Sequence, residues 1–325
     1  MAQSLSARAS YTPAAGDGTM GDVTGDTADL TEVYETYRGL LFSVAYRMLG
    51  SVADAEDIVQ DAWLRWSGAD RTNVEDPRAY LVRTVTNTAI DRLRSERSRR
   101  ESYVGPWLPE PVLTAPDAAA DVEMADSVSL AMLVVLETLS PLERAVFVLR
   151  EVFGFSHAEI ASALDRSEAS IRQVAVRARR HVTERRPRFA ADRAEQRRVT
   201  EEFLSAALGG DIERLLGVLA PDVVLVPDGG GKRLAPRRPL VGADLVARFL
   251  AGIGQRSYDG VAPEDMRAEI ADVNGTAGVI IRGGGMVLST MTAEVVDGRV
   301  TALHLIANPD KLETIAERRV LSLGP

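Results

Sequence analysis

The sequence predicts a multidomain protein: two all-α units, the second a helix-turn-helix, followed by a C-terminal α+β domain. Three observations carry that reading. Apolar residues recur at helical spacing from about residue 29 to about residue 185. Two Ser-x-x-Glu capping boxes, Ser140 with Glu143 and Ser156 with Glu159, stand sixteen residues apart. Past Pro187 the pattern turns to strands, and two of the turns read Asn274-Gly275 and Asp297-Gly298, which are strong hairpin signals.

Residues 1–28 are rich in Ala, Ser, Thr, Gly and Asp without apolar periodicity and read as a disordered tail. The first unit spans 29–100. Its first helix sets Tyr37, Leu40, Leu41, Val44, Ala45 and Met48 on one face and ends at Gly50. Ser51 with Asp54 caps the next helix, whose apolar face is Ala55, Ile58, Val59, Ala62, Trp63 and Trp66. That spacing places both tryptophans in the core, and the opposite face carries Asp54, Asp57, Gln60 and Asp61. Asp76 and Pro77 open a third helix, buried through Leu81, Val85, Ala89 and Leu93. Its exposed side presents Arg83, Asn87 and then Arg92, Arg94, Arg97, Arg99 and Arg100.

A linker, 101–125, follows. It contains GPWLPEP, which cannot continue a helix because proline lacks the amide hydrogen and biases the residue before it toward extended backbone. The second unit, 126–188, starts from a helical group beginning near Val122. The box at Ser156 opens a short helix over 157–164, Asp165 and Arg166 turn, and Ser167 caps a longer helix. Ile171, Ala175, Ala178 and Val182 face inward, leaving Ser170, Arg172, Gln173, Arg177 and Arg180 outward, with Arg179 and Arg185 adding charge. A short helix, a brief turn and a basic second helix form the helix-turn-helix arrangement, whose second helix enters the major groove.

The C-terminal domain, 194–325, is expected to hold helices near 201–208 and 212–219, a strand at 223–226, a helix near 243–253 and three further strands in a curved antiparallel sheet. DGGGK at 228–232 is not a phosphate loop, since Val226 and Arg233 stand where glycine and Ser or Thr are required. It reads as a sharp turn with Asp228 and Lys232 free to pair. Gly283 to Gly285 lacks a Rossmann context.

The chain has 325 residues, no cysteine and three histidines, which excludes zinc fingers, disulfide frameworks and thiol nucleophiles. No cofactor is expected. No run reaches the length of a membrane span and the N-terminus lacks the order of a signal peptide, so the expectation is a cytoplasmic protein without membrane contact. The net charge of -9 argues against a polyanion partner until its distribution is read. Two arginine clusters, at 92–100 and 166–188, imply two separate contacts, because polyanion binding depends on local charge.

AYRMLGSVADAEDIVQDAWLRW resembles the sigma-2 helices that grip RNA polymerase in the extracytoplasmic-function group of bacterial sigma factors. DPRAYLVRTVTNTAIDRLRSERSRR is similar to the part that melts and reads the -10 element. LSPLERAVFVLREVFGFSHAEIASALDRSEASIRQVAVRARRHV is similar to the sigma-4 domain that reads the -35 element. The C-terminal part resembles the SnoaL-like branch of the cone-shaped α+β barrels that also includes ketosteroid isomerase. Sigma factors of the SigJ type carry such a domain, with WLPEP, DGGGK and NPDKL as marks, and all three stand here, the last at 308–312.

The resemblance implies an alternative sigma factor that binds core RNA polymerase and promoter DNA. Asp54, Asp57, Gln60 and Asp61 would meet the polymerase. Asn87, Arg92, Arg94, Arg97, Ser170, Arg172, Gln173, Arg177, Arg179 and Arg180 would meet DNA, and the loop 67–76 would hold a flipped base. The fused domain would replace a separate anti-sigma protein through Trp107, Leu108, Pro109, Asp228, Lys232, Asn308, Pro309 and Asp310, with Trp107 buried against it. A small-molecule effector in that domain and a monomeric free state are further expectations. Asp228 and His304, with Lys232, are the polar candidates should the barrel catalyse a reaction, but fold alone confers no chemistry, and the reading is not an enzyme. The alternative is a one-component helix-turn-helix regulator with a small-molecule sensor, which has no need of the acidic face on the second helix.

Overall fold

In the computed structural model the described residues are 23–69, 74–114, 129–185, 193–253, 255–318 and 320–321. The start near Val122, Arg186, Arg188 and the middle of the loop 67–76 lie outside them, as does most of the expected tail. Helix α1, Val23–Leu49, begins inside the segment read as tail. Gly50 then takes a left-handed φ of 68°, and Ser51 caps α2, Val52–Ser67, by accepting from the Asp54 amide. Asp76 caps α3, Pro77–Glu101, through the Ala79 amide at 3.1 Å. Trp66 is buried and its indole N–H donates to the Leu30 carbonyl, while Trp63 packs on Tyr34 at 5.0 Å between ring centres. Trp66 is a core residue, as its spacing predicted, whereas Trp63 is half-buried and packs against the edge of that core.

The second unit comprises α4 Leu130–Glu137, α5 Pro141–Phe147, a π-helical turn Val148–Val152, α6 His157–Ala163 and α7 Glu168–Arg185. Both predicted capping boxes form reciprocally. Asp165, with φ 51°, makes the turn of the helix-turn-helix, and Ile171, Val174, Ala178 and Val182 face its core. Val174 therefore takes the inward place assigned to Ala175, which is half-buried. The two helical units share one apolar cluster, in which Leu81 and Val85 join Leu149, Phe155 and Ile160.

The C-terminal domain contributes α8 Arg193–Leu208, α9 Ile212–Val218, α10 Ala243–Ile253 and α11 Glu313–Ala316. Its sheet contains β2 Leu219–Asp228, β3 Leu240–Val241, β4 Arg267–Val273, β5 Thr276–Gly283, β6 Met286–Val296, β7 Arg299–Ile306 and β8 Val320–Leu321. An eighth strand, β1 Leu113–Thr114, comes from the linker. The order is β3-β2-β7-β6-β5-β4-β1-β8. Four long strands follow α10 rather than three, and the sheet is mixed: β2 runs parallel to β7, and β1 to β8. Asn274-Gly275 and Asp297-Gly298 both adopt the left-handed pair of φ values that a two-residue hairpin turn requires.

The sheet has two uses. One face packs Leu225, Val295, Leu303 and Leu305 against Val199, Phe203, Leu215 and Leu250 of the domain's own helices. The other face, with Val226, Ile280 and Ile306, packs against Leu108 of the linker, Leu130 of α4, and Leu312 and Ile315. The linker and the second helical unit are thus seated on the back of the C-terminal sheet.

Candidate functional site

The three short motifs converge on one buried carboxylate. Asp228, at 0% exposure, ends β2. Its Oδ1 accepts from the Tyr103 hydroxyl at 2.6 Å and the Gly230 amide at 3.1 Å. Its Oδ2 accepts from the Leu108 amide at 2.9 Å and the Lys311 ammonium at 2.8 Å. Lys311 also donates to the Leu108 carbonyl and lies 4.1 Å from the Trp107 ring centre and 5.0 Å from that of Tyr103. Asn308 donates to the Tyr103 hydroxyl at 2.9 Å. Burial and the Asp228 carboxylate together push the Tyr103 phenol upward, so it stays a donor.

DGGGK owes its glycines to this close approach. A Cβ on Gly230 would lie 2.4 Å from the Asn308 amide nitrogen, and one on Gly231 would lie 3.0 Å from Val104. The left-handed turn they form carries Lys232 outward, where it pairs with Asp310 at 2.5 Å and not with Asp228. The partner of Asp228 is Lys311, a residue inside NPDKL that the sequence reading passed over.

Trp107 has two neighbours. A Cβ on Gly50 would lie 3.0 Å from its Cη2, so the ring rests on the α1–α2 junction while its face meets Lys311 of the C-terminal domain. It is half-buried, and Leu108, at 1%, is the side chain that enters the sheet's back. Pro109 also meets Gly50, with its Cβ 3.2 Å from the same position. Glu110 completes the seam. Its backbone amide donates to the Gly50 carbonyl at 2.7 Å, and its carboxylate accepts from the Val52 amide at 2.8 Å and from Thr314 at 2.7 Å. Burial raises the Glu110 pKa, opposed by those two donors and by Lys311. Tyr46 donates to the Glu110 carbonyl and accepts from Asn274, which in turn accepts from the Val112 amide at 3.0 Å. Arg144 of α5 reaches the same junction, donating to the Met48 carbonyl at 2.7 Å and pairing with Glu137.

The groups predicted to meet DNA are largely engaged. The Asn87 amide donates to the Ala163 carbonyl of α6 at 3.0 Å, and Arg78 stacks over Phe155 at 4.4 Å. Between these contacts a cleft of about 350 Å³ separates α3 from the helix-turn-helix. Arg92 pairs with Asp54 and Glu96, and Arg94 with Asp91. The Arg97 side chain lies outside the described residues. On α7, Arg172 pairs with Glu168, Arg177 with Glu143, Arg179 with Glu151 and Arg180 with Glu184. Gln173 is exposed and Ser170 half-buried. Asp57, Gln60 and Asp61 are exposed on α2, and Leu64, 60% exposed one turn beyond Gln60, adds an apolar group to that acidic face.

His304 sits on the sheet face that also carries Val226 and Ile306, not among the helices of the domain. It is buried, its Nε2 lies 3.6 Å from Glu294, and its Nδ1 has no hydrogen-bond partner. Burial lowers its pKa to about 4 and raises that of Glu294 to about 6. Asp228 stands on the same sheet face of the adjacent strand, where its carboxylate is engaged by Tyr103, Leu108 and Lys311.

The helical units define a sigma factor. The model of sigma-70 region 2 matches residues 33–99, and that of sigma-70 region 4 matches residues 129–182. The chain is 41% identical over 304 residues, covering 90% of itself and 96% of the relative, to the ECF RNA polymerase sigma factor SigJ of Mycobacterium tuberculosis. It belongs to the extracytoplasmic-function RNA polymerase sigma factors. The crystal structure of that SigJ superposes with a TM-score of 0.69 at 39% identity, covering 87% of this chain and 98% of the other, so the C-terminal domain is part of the shared architecture. A probable ECF sigma factor SigI of the same species is 29% identical over 88% of this chain and 96% of its own length. The chain is therefore an alternative sigma factor that directs transcription initiation, and among the described residues no helix is long and apolar enough to cross a membrane.

Proposed function

We propose that the fused C-terminal domain regulates this sigma factor by holding its two DNA-reading units closed, in place of a separate anti-sigma protein. The observation that carries this reading is the linker 103–114, hydrogen-bonded on one side to Gly50 and Val52 and on the other to Asp228, Asn274 and Thr314. Promoter elements at -10 and -35 are about 25 base pairs apart, or roughly 85 Å at ~3.4 Å per step. Units in contact through Asn87 and Ala163 cannot sit on both, so initiation requires them to part.

In the open state α3 with Asn87, Arg92, Arg94 and Arg97 takes the downstream element. Ser170, Arg172, Gln173, Arg177, Arg179 and Arg180 of α7 take the upstream one. The exposed acidic face of α2, extended by Leu64, meets core polymerase, and its Asp54 exchanges Arg92 for a polymerase cation. The C-terminal domain acts without catalysis: Asp228 is a structural acceptor, and the inner face of its sheet is filled by Phe203, Leu215 and Leu303. The free chain is monomeric and works in the cytoplasm, and a small-molecule effector would act by shifting the closed-to-open equilibrium.

The chain has no cysteine, so single cysteines introduced on α3 and α7 accept donor and acceptor dyes uniquely. Energy transfer should fall when core polymerase and a promoter duplex are added, and Lys311→Ala should lower it in the free chain and raise transcript yield. An unchanged dye distance throughout initiation would remove the closed-state reading while leaving the sigma assignment in place.

A further inference from the structure

The turn that follows DGGGK is basic and carries no acid between Gly229 and Pro239. Two of its four cations are spent internally. Lys232 pairs with Asp310, and Arg233, with a side chain 7% exposed, pairs with Asp259 and donates to the Val287 and Leu288 carbonyls. The Tyr258 hydroxyl donates to the Leu234 carbonyl at 3.1 Å, which fixes the loop at its middle. Pro236 and Pro239 restrict the remaining backbone. What this anchoring presents to solvent is Leu234, 88% exposed, and the exposed pair Arg237 and Arg238, for which no acidic partner stands among the described residues. Most arginines of α7, by contrast, already have carboxylates beside them.

The position of this pair matters as much as its charge. A Cβ on Gly105 would lie 3.8 Å from the Arg237 Cα, so the loop abuts the linker immediately after α3. Four residue-to-residue steps lead from the end of α3 at Glu101 to Gly105, a span of at most ~14 Å. Arg237 is therefore within roughly 18 Å of the helix end that carries Arg97, Arg99 and Arg100, about five base-pair steps of duplex at ~3.4 Å each.

We propose that loop 232–239 of the C-terminal domain is a further DNA contact, in which Arg237 and Arg238 hold promoter phosphates next to the segment read by α3, with Leu234 against the sugar edge. The regulatory domain then contributes to promoter binding as well as to closure. Phosphate contacts of this kind position a protein without reading sequence. Both arginines are held on an anchored loop, so little order is lost on binding.

The test compares the full chain, assembled with core polymerase, with Arg237→Ala/Arg238→Ala and with Arg237→Lys/Arg238→Lys in the same assembly. Binding to a dye-labelled 30-base-pair duplex is followed by fluorescence anisotropy from about 0.05 to 0.2 M salt. Two lost phosphate contacts make the log–log salt slope shallower by about 1.8, equivalent to a gap of about 60-fold at 0.1 M for lines that meet at 1 M. The lysine variant keeps the charge and should keep the slope. Arg248→Ala, which removes an arginine paired with Asp244 on α10, serves as the control and should change nothing. A steep slope in the unchanged chain with an equal slope in the double alanine variant overturns the proposal. Equal DNA binding combined with weaker core-polymerase binding overturns it in favour of a polymerase contact. Failure of the unchanged chain to bind duplex even when assembled with core polymerase would fall on the assignment of the arginine clusters to DNA, and would remove this contact with it.

Discussion

Asp228→Asn is the substitution that tests the linker seam most directly. The change keeps the shape of the side chain and removes its charge. Four donors now converge on the carboxylate, from Tyr103, Gly230, Leu108 and Lys311, all within 3.1 Å. An asparagine has one acceptor oxygen and must turn its NH2 toward a donor, and the Lys311 ammonium loses its counter-ion with its side chain only 11% exposed. Breaking a buried pair from one side costs about 3–5 kcal/mol, which corresponds to roughly a 150- to 5,000-fold increase in the open population of the seam. Amide hydrogen exchange reads this population. The Leu108 amide, bonded to Asp228, and the Val112 amide, bonded to Asn274, should both exchange faster by two to three orders of magnitude. Adding Lys311→Met to Asp228→Asn removes the stranded charge and should recover most of the protection. Exchange at both amides within about threefold of the unchanged chain, with circular dichroism unaltered, would refute the account of Asp228 as the latch.

Three further outcomes follow from the same geometry. Gly50→Ala places a Cβ in left-handed backbone and 3.0 Å from the Trp107 ring, so a loss of at least about 1–2 kcal/mol, seen as a lowered Tm, is expected. His304 and Glu294 oppose each other in acid. The lowered histidine pKa loses stability as pH falls from 6.5 toward about 4, roughly 3 kcal/mol in all. The raised glutamate pKa gains roughly 2 kcal/mol as pH falls through about 6 to 4.5. Glu294→Gln should therefore steepen the fall of Tm between pH 6.5 and 4.5, and His304→Gln should reverse its sign over that range. On α7, Arg172→Ala should relax sequence choice at one position by about 1–3 kcal/mol, whereas Arg185→Ala should weaken all duplexes evenly and flatten the salt slope by about 0.9. Equal losses across sequences for both variants would contradict that division.

Much of the helical half was legible because its signals are local. Ser140 with Glu143 and Ser156 with Glu159 cap in the way their spacing demands, and Asn274-Gly275 turns where only a left-handed pair fits. What escaped depends on through-space placement. Nearness in sequence favoured Lys232 as the partner of Asp228, but the glycine turn between them points the lysine away and brings in Lys311, 83 residues distant. A two-residue strand such as β1 has no periodicity to detect, so the linker gave no sign of belonging to the sheet. Alternation along β7 sets His304 and Leu303 on opposite faces, but does not say which face the domain's own helices cover. The shared core of the two helical units was hidden for the same reason, since an amphipathic face does not name its partner.

The latch strand also sets an order of events during synthesis. Val112 must wait for Asn274, 162 residues further along the chain, and β1 must wait for β4 and β8. At about 5–20 residues per second, the ribosome delivers that partner roughly 8–32 s after the linker. Both helical units are complete before then, so every molecule passes through a period in which they are joined only by their own shared core, without the linker's hydrogen bonds to the sheet. A polymerase that meets the nascent chain in this interval encounters the unlatched form without any signal having acted.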